Sequence, residues 1–235
     1  MFKFKQFSIQ QDKCAMKVGT DGVLLGAWTP INHNPLSILD IGAGTGVISL
    51  MLAQRSSAEQ IDALEIDENA YEQAVDNFEN SPWSDRLFCF HAGLDEFVDE
   101  PEDEYDLIVS NPPFYSEDYY SNDEQRDLAR FQNALPFEDL VEAADLLLSE
   151  NGIFCVIIPF KEEEKFIALA YQYELYPIKI TRVKGTPTSE IKRSLLAFSR
   201  NQSENFSIDE LIIEKSRHDY TPEYSNLTKD FYLKM

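Results

Sequence analysis

The chain has 235 residues, 43% hydrophobic and 26% charged, enough for one sizeable α/β domain and outside the composition of disordered or fibrous chains. A net charge of −22 argues against a protein that grips a polyanion over a broad face, since such binding relies on an extended basic surface. No apolar run is long enough to span a bilayer and the N-terminus lacks an h-region, so a cytoplasmic protein is expected; scattered cysteines (Cys14, Cys89, Cys155) and histidines (His33, His91, His218) predict reduced thiols and no metal site.

In chain order, residues 36–41 read as a short apolar strand running into a glycine-rich turn, after which Val47, Ile48, Leu50, Met51 and Leu52 recur at helical spacing. Residues 61–66 predict a second strand, and residues 68–78 a helix with Ala70, Ala74, Val75 and Phe78 on one face. Strands are expected at 87–91 and 105–110, then a helix at 137–148 that Gly152 ends before a strand at 153–158. A helix at 161–173 precedes strands at 178–183 and 194–199, whose connection around Gly185 is too short for a crossover helix and predicts antiparallel pairing. The alternation implies an α/β, Rossmann-like fold: a mainly parallel, doubly wound sheet with an antiparallel C-terminal strand and ligands at the strands' C-terminal edge. No repeat or linker divides the chain, so a single domain over residues 1–235 is expected.

Acidic residues concentrate between Asp95 and Asp106 and at Glu162-Glu163-Glu164. Basic residues gather early (Lys3, Lys5, Lys13, Lys17) and late (Lys179, Arg182, Lys184, Lys192, Arg193), so a local positive patch can form if the fold joins the two groups.

Asp40-Ile41-Gly42-Ala43-Gly44-Thr45-Gly46 closes the first strand and opens the first helix. A side chain at Gly42 or Gly44 would collide with a ligand lying across the turn. The acid just before the turn would repel a pyrophosphate and attract the α-ammonium of a methionine moiety, so the turn favours S-adenosyl-L-methionine over NAD. Glu65, ending the second strand, is placed to accept hydrogen bonds from both ribose hydroxyls; Asp67 is the rival, and either would otherwise cap the next helix. Asp95 is placed to bind the adenine amino group or to be one solvated acid of an acidic stretch. His91 is assigned no role.

Asn111-Pro112-Pro113-Phe114-Tyr115 follows the fourth strand and shares an edge with the glycine turn. An amino group conjugated to a ring is a poor nucleophile because its lone pair is delocalised. The Asn111 side-chain oxygen and the Pro112 carbonyl can each accept one N–H bond, held rigidly by the two prolines, and draw density back onto nitrogen. Phe114 would stack on a planar substrate, with Tyr115, Tyr119 and Tyr120 as further aromatic surface. Positioning does most of the catalysis and no strong base is needed. The bland alternative is a rigid Pro-Pro turn.

These residues resemble the class I Rossmann-like methyltransferases that modify amino groups. Lys17-Val18-Gly19-Thr20-Asp21-Gly22-Val23-Leu24-Leu25-Gly26-Ala27-Trp28, Glu190-Ile191-Lys192-Arg193-Ser194-Leu195-Leu196, and Tyr220-Thr221-Pro222-Glu223-Tyr224 with Leu227-Thr228-Lys229-Asp230-Phe231-Tyr232 resemble the tRNA1(Val) (adenine(37)-N6)-methyltransferase family. The resemblance spans essentially the whole chain. It implies N6 methylation of the adenine 3′ of a valine-tRNA anticodon, with residues 1–30 lining the site and Lys17, Thr20 and Asp21 at its cofactor end. A monomeric enzyme is expected. An anticodon-loop base is already unpaired, so splaying it into a pocket costs little. Arg126 and Arg130 would meet phosphates or pair with Asp123, Glu124 and Asp127. The same chemistry also suits guanine N2 of ribosomal RNA or a protein glutamine amide, and a nucleotide-binding Rossmann protein without transferase activity is the alternative of another class.

Overall fold

The computed structural model describes residues 1–98, 104–113, 135–202 and 206–235. In chain order the elements are β1 (Phe2–Lys3), β2 (Ser8–Ile9), α1 (Thr20–Trp28), β3 (Ser37–Ile41), α2 (Val47–Arg55), β4 (Gln60–Glu65), α3 (Glu68–Glu79), β5 (Leu87–His91), α4 (Leu94–Val98) and β6 (Tyr105–Ser110). They continue with α5 (Phe137–Leu147), β7 (Leu148–Pro159), α6 (Glu163–Gln172), β8 (Tyr176–Lys184), β9 (Ile191–Ser199), β10 (Ser207–Ile212), β11 (Glu214–Ser216), β12 (Asp219–Tyr220) and α7 (Pro222–Thr228).

Eight strands form one sheet in the order β10-β8-β9-β7-β6-β3-β4-β5. All neighbours run parallel except β9, which is antiparallel to both β7 and β8. From β3 the chain builds outward through β4 to β5, then crosses back to place β6 on the other side of β3. That reversal opens a crevice at the C-terminal ends of β3 and β6, where ligands of doubly wound sheets bind.

Parallel strands buried on both faces must be apolar throughout, and β3 shows how alternation serves two layers. Ile38 packs into the layer that includes α1 and α2, while Leu39 and Ile41 pack into the layer that includes α5 and α6. No helix among the described residues is long and apolar enough to cross a membrane.

The expected helix end at Gly152 needs correction. The helix stops at Leu147, Leu148 is already extended, and Gly152 lies inside β7. A Cβ there would stand 2.7 Å from Leu148 Cδ1 and 3.0 Å from the Tyr105 carbonyl, so the glycine serves a close pass where the β6–β7 register shifts. The terminal elements β1, β2, α1, β10, β11, β12 and α7 carry no expectation from periodicity and are additions to the predicted core.

Candidate active site

The glycine turn divides its work among three residues. Gly42, Gly44 and Gly46 have φ of +75°, +57° and +75°, the left-handed region that a side chain disfavours. The amides of Gly42 and Ala43 both donate to the Leu64 carbonyl at 2.9 Å, fastening the turn to β4. A Cβ at Gly42 or Gly44 would point into open space, whereas at Gly46 it would run into the Phe78 ring of α3. The first two glycines therefore leave a cradle that a ligand can fill, and the third lets α3 pack against the turn.

Asp40 lies beneath this turn rather than on its open face, with no exposure to solvent. Its Oδ2 accepts from Ser49 N at 3.1 Å and Ser49 Oγ at 2.6 Å, pinning the first turns of α2, while Oδ1 is buried without a partner. Burial pushes its carboxyl up to about 6, against the pull of the Ser49 hydrogen bonds. It can act on a cation only through its field and through the loop it holds.

Glu65 and Asp67 part company in the structure. Glu65 Oε2 accepts from Gly44 N at 2.7 Å and Oε1 from Asp67 N at 2.9 Å, with the Ile66 amide also acting on the carboxylate. Burial raises its carboxyl above the ordinary range, and the Asp67 and Gly44 amides work in the other direction. Asp67 caps α3, accepting from Ala70 N at 2.8 Å. Only Glu65 thus has its carboxylate bonded to the glycine turn.

At the other side of the crevice, Ile41 of β3 is in register with Ser110 of β6, so Gly42 and Asn111 leave adjacent strands side by side. Ser110 Oγ donates to the Ile41 carbonyl at 2.8 Å and ties the two strands together. Asn111 is half-buried and its side chain makes no hydrogen bond among the described residues; Pro112 is buried and Pro113 half-buried. Phe114, Tyr115, Tyr119, Tyr120, Arg126 and Arg130 lie outside the described residues.

The N-terminal motif reaches the same edge through helix packing. Gly22 and Gly26 let α1 press onto α2: a Cβ on the first would stand 3.2 Å from Val47 Cγ1, and on the second 2.9 Å from Met51 Sδ. Val47 follows Gly46 directly, so Thr20 and Asp21 at the start of α1 arrive beside the glycine turn, and Lys17 is exposed in the segment before the helix. Asp21 Oδ2 accepts from Arg193 Nε at 2.8 Å, joining α1 to β9.

The late basic group is largely spent inside the fold. Arg182 pairs with Glu163 at 2.7 Å, Lys184 with Glu210 at 2.8 Å, Arg193 with Asp21, and Lys179 sits 4.5 Å over the Trp28 ring. Of the early group, Lys13 pairs with Glu72 and Asp76. Lys17 and Lys192 remain exposed.

Beyond Glu65, Asp95 is exposed in the first turn of α4. His91 is held by the Ile66 carbonyl at 3.1 Å and stacks on Tyr71. The residue missed in the sequence is Ile66, 57% exposed and 3.8 Å through Cδ1 from where a Gly93 Cβ would lie. An apolar side chain left open on this edge suits the face of a base. Its signal was an isoleucine between two acids, where a strand end would ordinarily turn polar. No group of three or more His, Cys, Asp or Glu side chains among the described residues is placed to hold a metal ion.

The family description "Methyltransferase small domain" matches residues 29–169. The tRNA1(Val) (adenine(37)-N6)-methyltransferase of Flavobacterium johnsoniae is 80% identical over 100% of both chains, and that of Bacteroides fragilis strain NCTC 9343 is 45% identical over 100% of this chain and 98% of its own. A solved structure from Agrobacterium tumefaciens described as a predicted O-methyltransferase superposes with a TM-score of 0.70 at 19% identity, covering 90% of this chain and 96% of that one. A ribosomal protein L11 methylase from Lactobacillus delbrueckii subsp. bulgaricus gives 0.54 at 18% identity, covering 77% of each. These structural likenesses speak to the fold, which is that of class I methyltransferases. With full-length identity this high, the chain belongs to the tRNA1(Val) (adenine(37)-N6)-methyltransferase family.

Proposed function

We propose that this chain transfers the methyl group of S-adenosyl-L-methionine to N6 of adenine 37 in the anticodon loop of tRNA1(Val), acting in the cytoplasm as a monomer. The observation that carries this reading is the departure of the glycine turn and of Asn111-Pro112-Pro113 from neighbouring strands at the point where the sheet order reverses. The names of the full-length relatives support the choice of RNA and base.

The cradle at Gly42 and Gly44 and the Glu65 carboxylate bonded to the same turn suit an adenosyl ligand. When bound, S-adenosyl-L-methionine supplies an electrophilic methyl on a sulfonium sulfur. Glu65 then receives both ribose hydroxyls while its outer lone pairs stay on the Gly44 and Asp67 amides, so cofactor and turn are positioned by one carboxylate. Ile66 would offer an apolar surface to the adenine, and Asp95 would accept from its amino group. Lys17, Thr20 and Asp21 close the methionine end, with Asp21 oriented by Arg193.

Asn111 Oδ1 and the Pro112 carbonyl accept the two N–H bonds of the substrate amine. Accepting both hydrogens localises the nitrogen lone pair and aims it at the methyl. Pro113 keeps the backbone from relaxing. The target base is unpaired before binding, so only a few phosphates need be engaged, which a chain of net charge −22 can manage.

The test is mass spectrometry of nucleosides from tRNA1(Val) of cells lacking the protein, before and after it is restored. One N6-methyladenosine should disappear and return. Unchanged methyladenosine in the deletion strain, with no methyl transfer by the purified protein, would overturn the reading.

A further inference from the structure

Between β2 and α1 the chain runs across α3 as a strap, residues 10–19, held by side-chain amides and, at its surface, by the Lys13 pairs with Glu72 and Asp76. Asn77 of α3, 2% exposed, bonds the strap and the glycine turn at once. Its Oδ1 accepts from Gln10 N at 2.8 Å, while its Nδ2 donates to the Gln10 carbonyl and to the Thr45 carbonyl, both at 2.9 Å. One turn earlier, Gln73, also 2% exposed, accepts from Lys13 N at 3.1 Å. The strap closes on itself where Gln11 Oε1 accepts from Val18 N at 2.9 Å.

In the middle of the strap one side chain turns inward, between exposed Lys13 and Ala15. Cys14 is buried, and the carboxylates that act on its thiol include Glu65 and Asp67, with burial the largest influence, raising it to about 12. The strap therefore runs from the turn-bound Asn77, past the proposed ribose acid, to the N-terminus of α1 beside Val47. Nothing in forming a sheet or a core requires an amide to join these particular backbones. Asn77 is thereby a direct link between the strap and the glycine turn.

We infer that Asn77 is a positioning residue that locks the strap of residues 10–19 to the glycine turn and so sets cofactor affinity, with Gln73 as a second anchor on the strap alone. The inference rests on the cofactor assignment proposed above. Removing Asn77 leaves the Thr45 carbonyl and both Gln10 backbone groups without their partner. Buried groups left so are expected to weaken ordered binding by about tenfold or more.

Calorimetry with S-adenosyl-L-methionine, kinetics at saturating cofactor and limited trypsin digestion at Lys13 and Lys17 together test this. Asn77→Ala is expected to raise the cofactor Kd and KM by about tenfold, keep kcat within about threefold, and lose cofactor protection of the strap from trypsin. Gln73→Ala, which leaves Thr45 untouched, should show a smaller rise and the same loss of protection; Gln73→Glu retains the acceptor for Lys13 N and should restore both. If Asn77→Ala fails to fold, the Gln73 pair decides. Unchanged Kd and undiminished protection in the folded variants would overturn the inference, whereas a wild-type protein that binds no S-adenosyl-L-methionine would instead overturn the proposed function.

Discussion

Gly46 stands against Phe78 so closely that an added Cβ would overlap the ring's Cε1 and lie 3.0 Å from its Cζ, while the same atom on Gly44 would meet nothing within 4 Å. Two glycines of one motif, both at positive φ, therefore answer to different neighbours. Gly44→Ala should cost about 1 kcal/mol of stability for the left-handed backbone yet abolish measurable cofactor binding. Gly46→Ala adds a steric clash in the core and should cost roughly 2–4 kcal/mol, seen as a large fall in Tm without ligand. Thermal melts with and without S-adenosyl-L-methionine separate the two. Equal loss of stability in both variants would contradict this division.

Asn111 offers an accessible side chain with no hydrogen bond among the described residues, at a position fixed by the Ser110 tie to Ile41. Its bonds to the substrate amine strengthen as charge develops on nitrogen. Asn111→Ala should lower kcat by about 10²- to 10³-fold while cofactor Kd moves less than about threefold. Near-normal single-turnover rates on tRNA1(Val) would dismiss the acceptor role.

What the sequence made legible follows from how each element is stabilised. Strands β3, β4 and β6 are buried almost throughout and lead into the residues that line the crevice, so continuous apolar runs and the motifs after them mark it. Helix α1 gives no such signal, because every residue from Gly22 to Trp28 is buried and none of its faces is polar. Two glycines even lower its helix propensity, and packing against α2 overrides that cost. Strand β10 fails for the opposite reason: four of its six residues are exposed at the sheet edge, and they read as surface. The Asp21–Arg193 pair joins residues 172 positions apart, for which no local pattern exists. Position at the strand end favoured Glu65 over Asp67 in the sequence, and the amides that reach each carboxylate separate them in the structure.

Asp40 supplies a pH dependence with a definite sign. Its folded-state value of about 6 lies above the unfolded value of roughly 4, so protonation favours the fold. Its contribution to stability is fully present below about pH 4 and lost as pH rises through about 6, a span worth up to roughly 3 kcal/mol. Asp40→Asn should therefore gain Tm relative to wild type on going from pH 5 to pH 7.5. The same ionisation should raise wild-type affinity for the cationic cofactor across that range, and the substitution should flatten the rise. A Tm difference independent of pH would show that Asp40 does not titrate between pH 5 and pH 7.5 in the folded protein.

Lys192 and Arg193 are adjacent in sequence and separate in task. Arg193 holds Asp21 at 2.8 Å, with the two side chains only 19% and 30% exposed, whereas Lys192 is exposed. β9 runs antiparallel, so its first residues stand at the same edge as Asn111, two strands from β6. With strands about 4.8 Å apart and Lys192 about three residues beyond the level of Asn111, Lys192 sits roughly 14 Å from the reacting edge, within about two nucleotides of a base held there. Lys192→Glu should weaken tRNA1(Val) binding and reduce the slope of log K against log salt by about one, leaving cofactor affinity intact. Arg193→Glu places two carboxylates together at Asp21 and should impair cofactor binding as well, so the two single variants differ in calorimetry with S-adenosyl-L-methionine even where both lose RNA affinity. Identical behaviour of the two would mean that the Asp21 pair has no part in shaping the cofactor end.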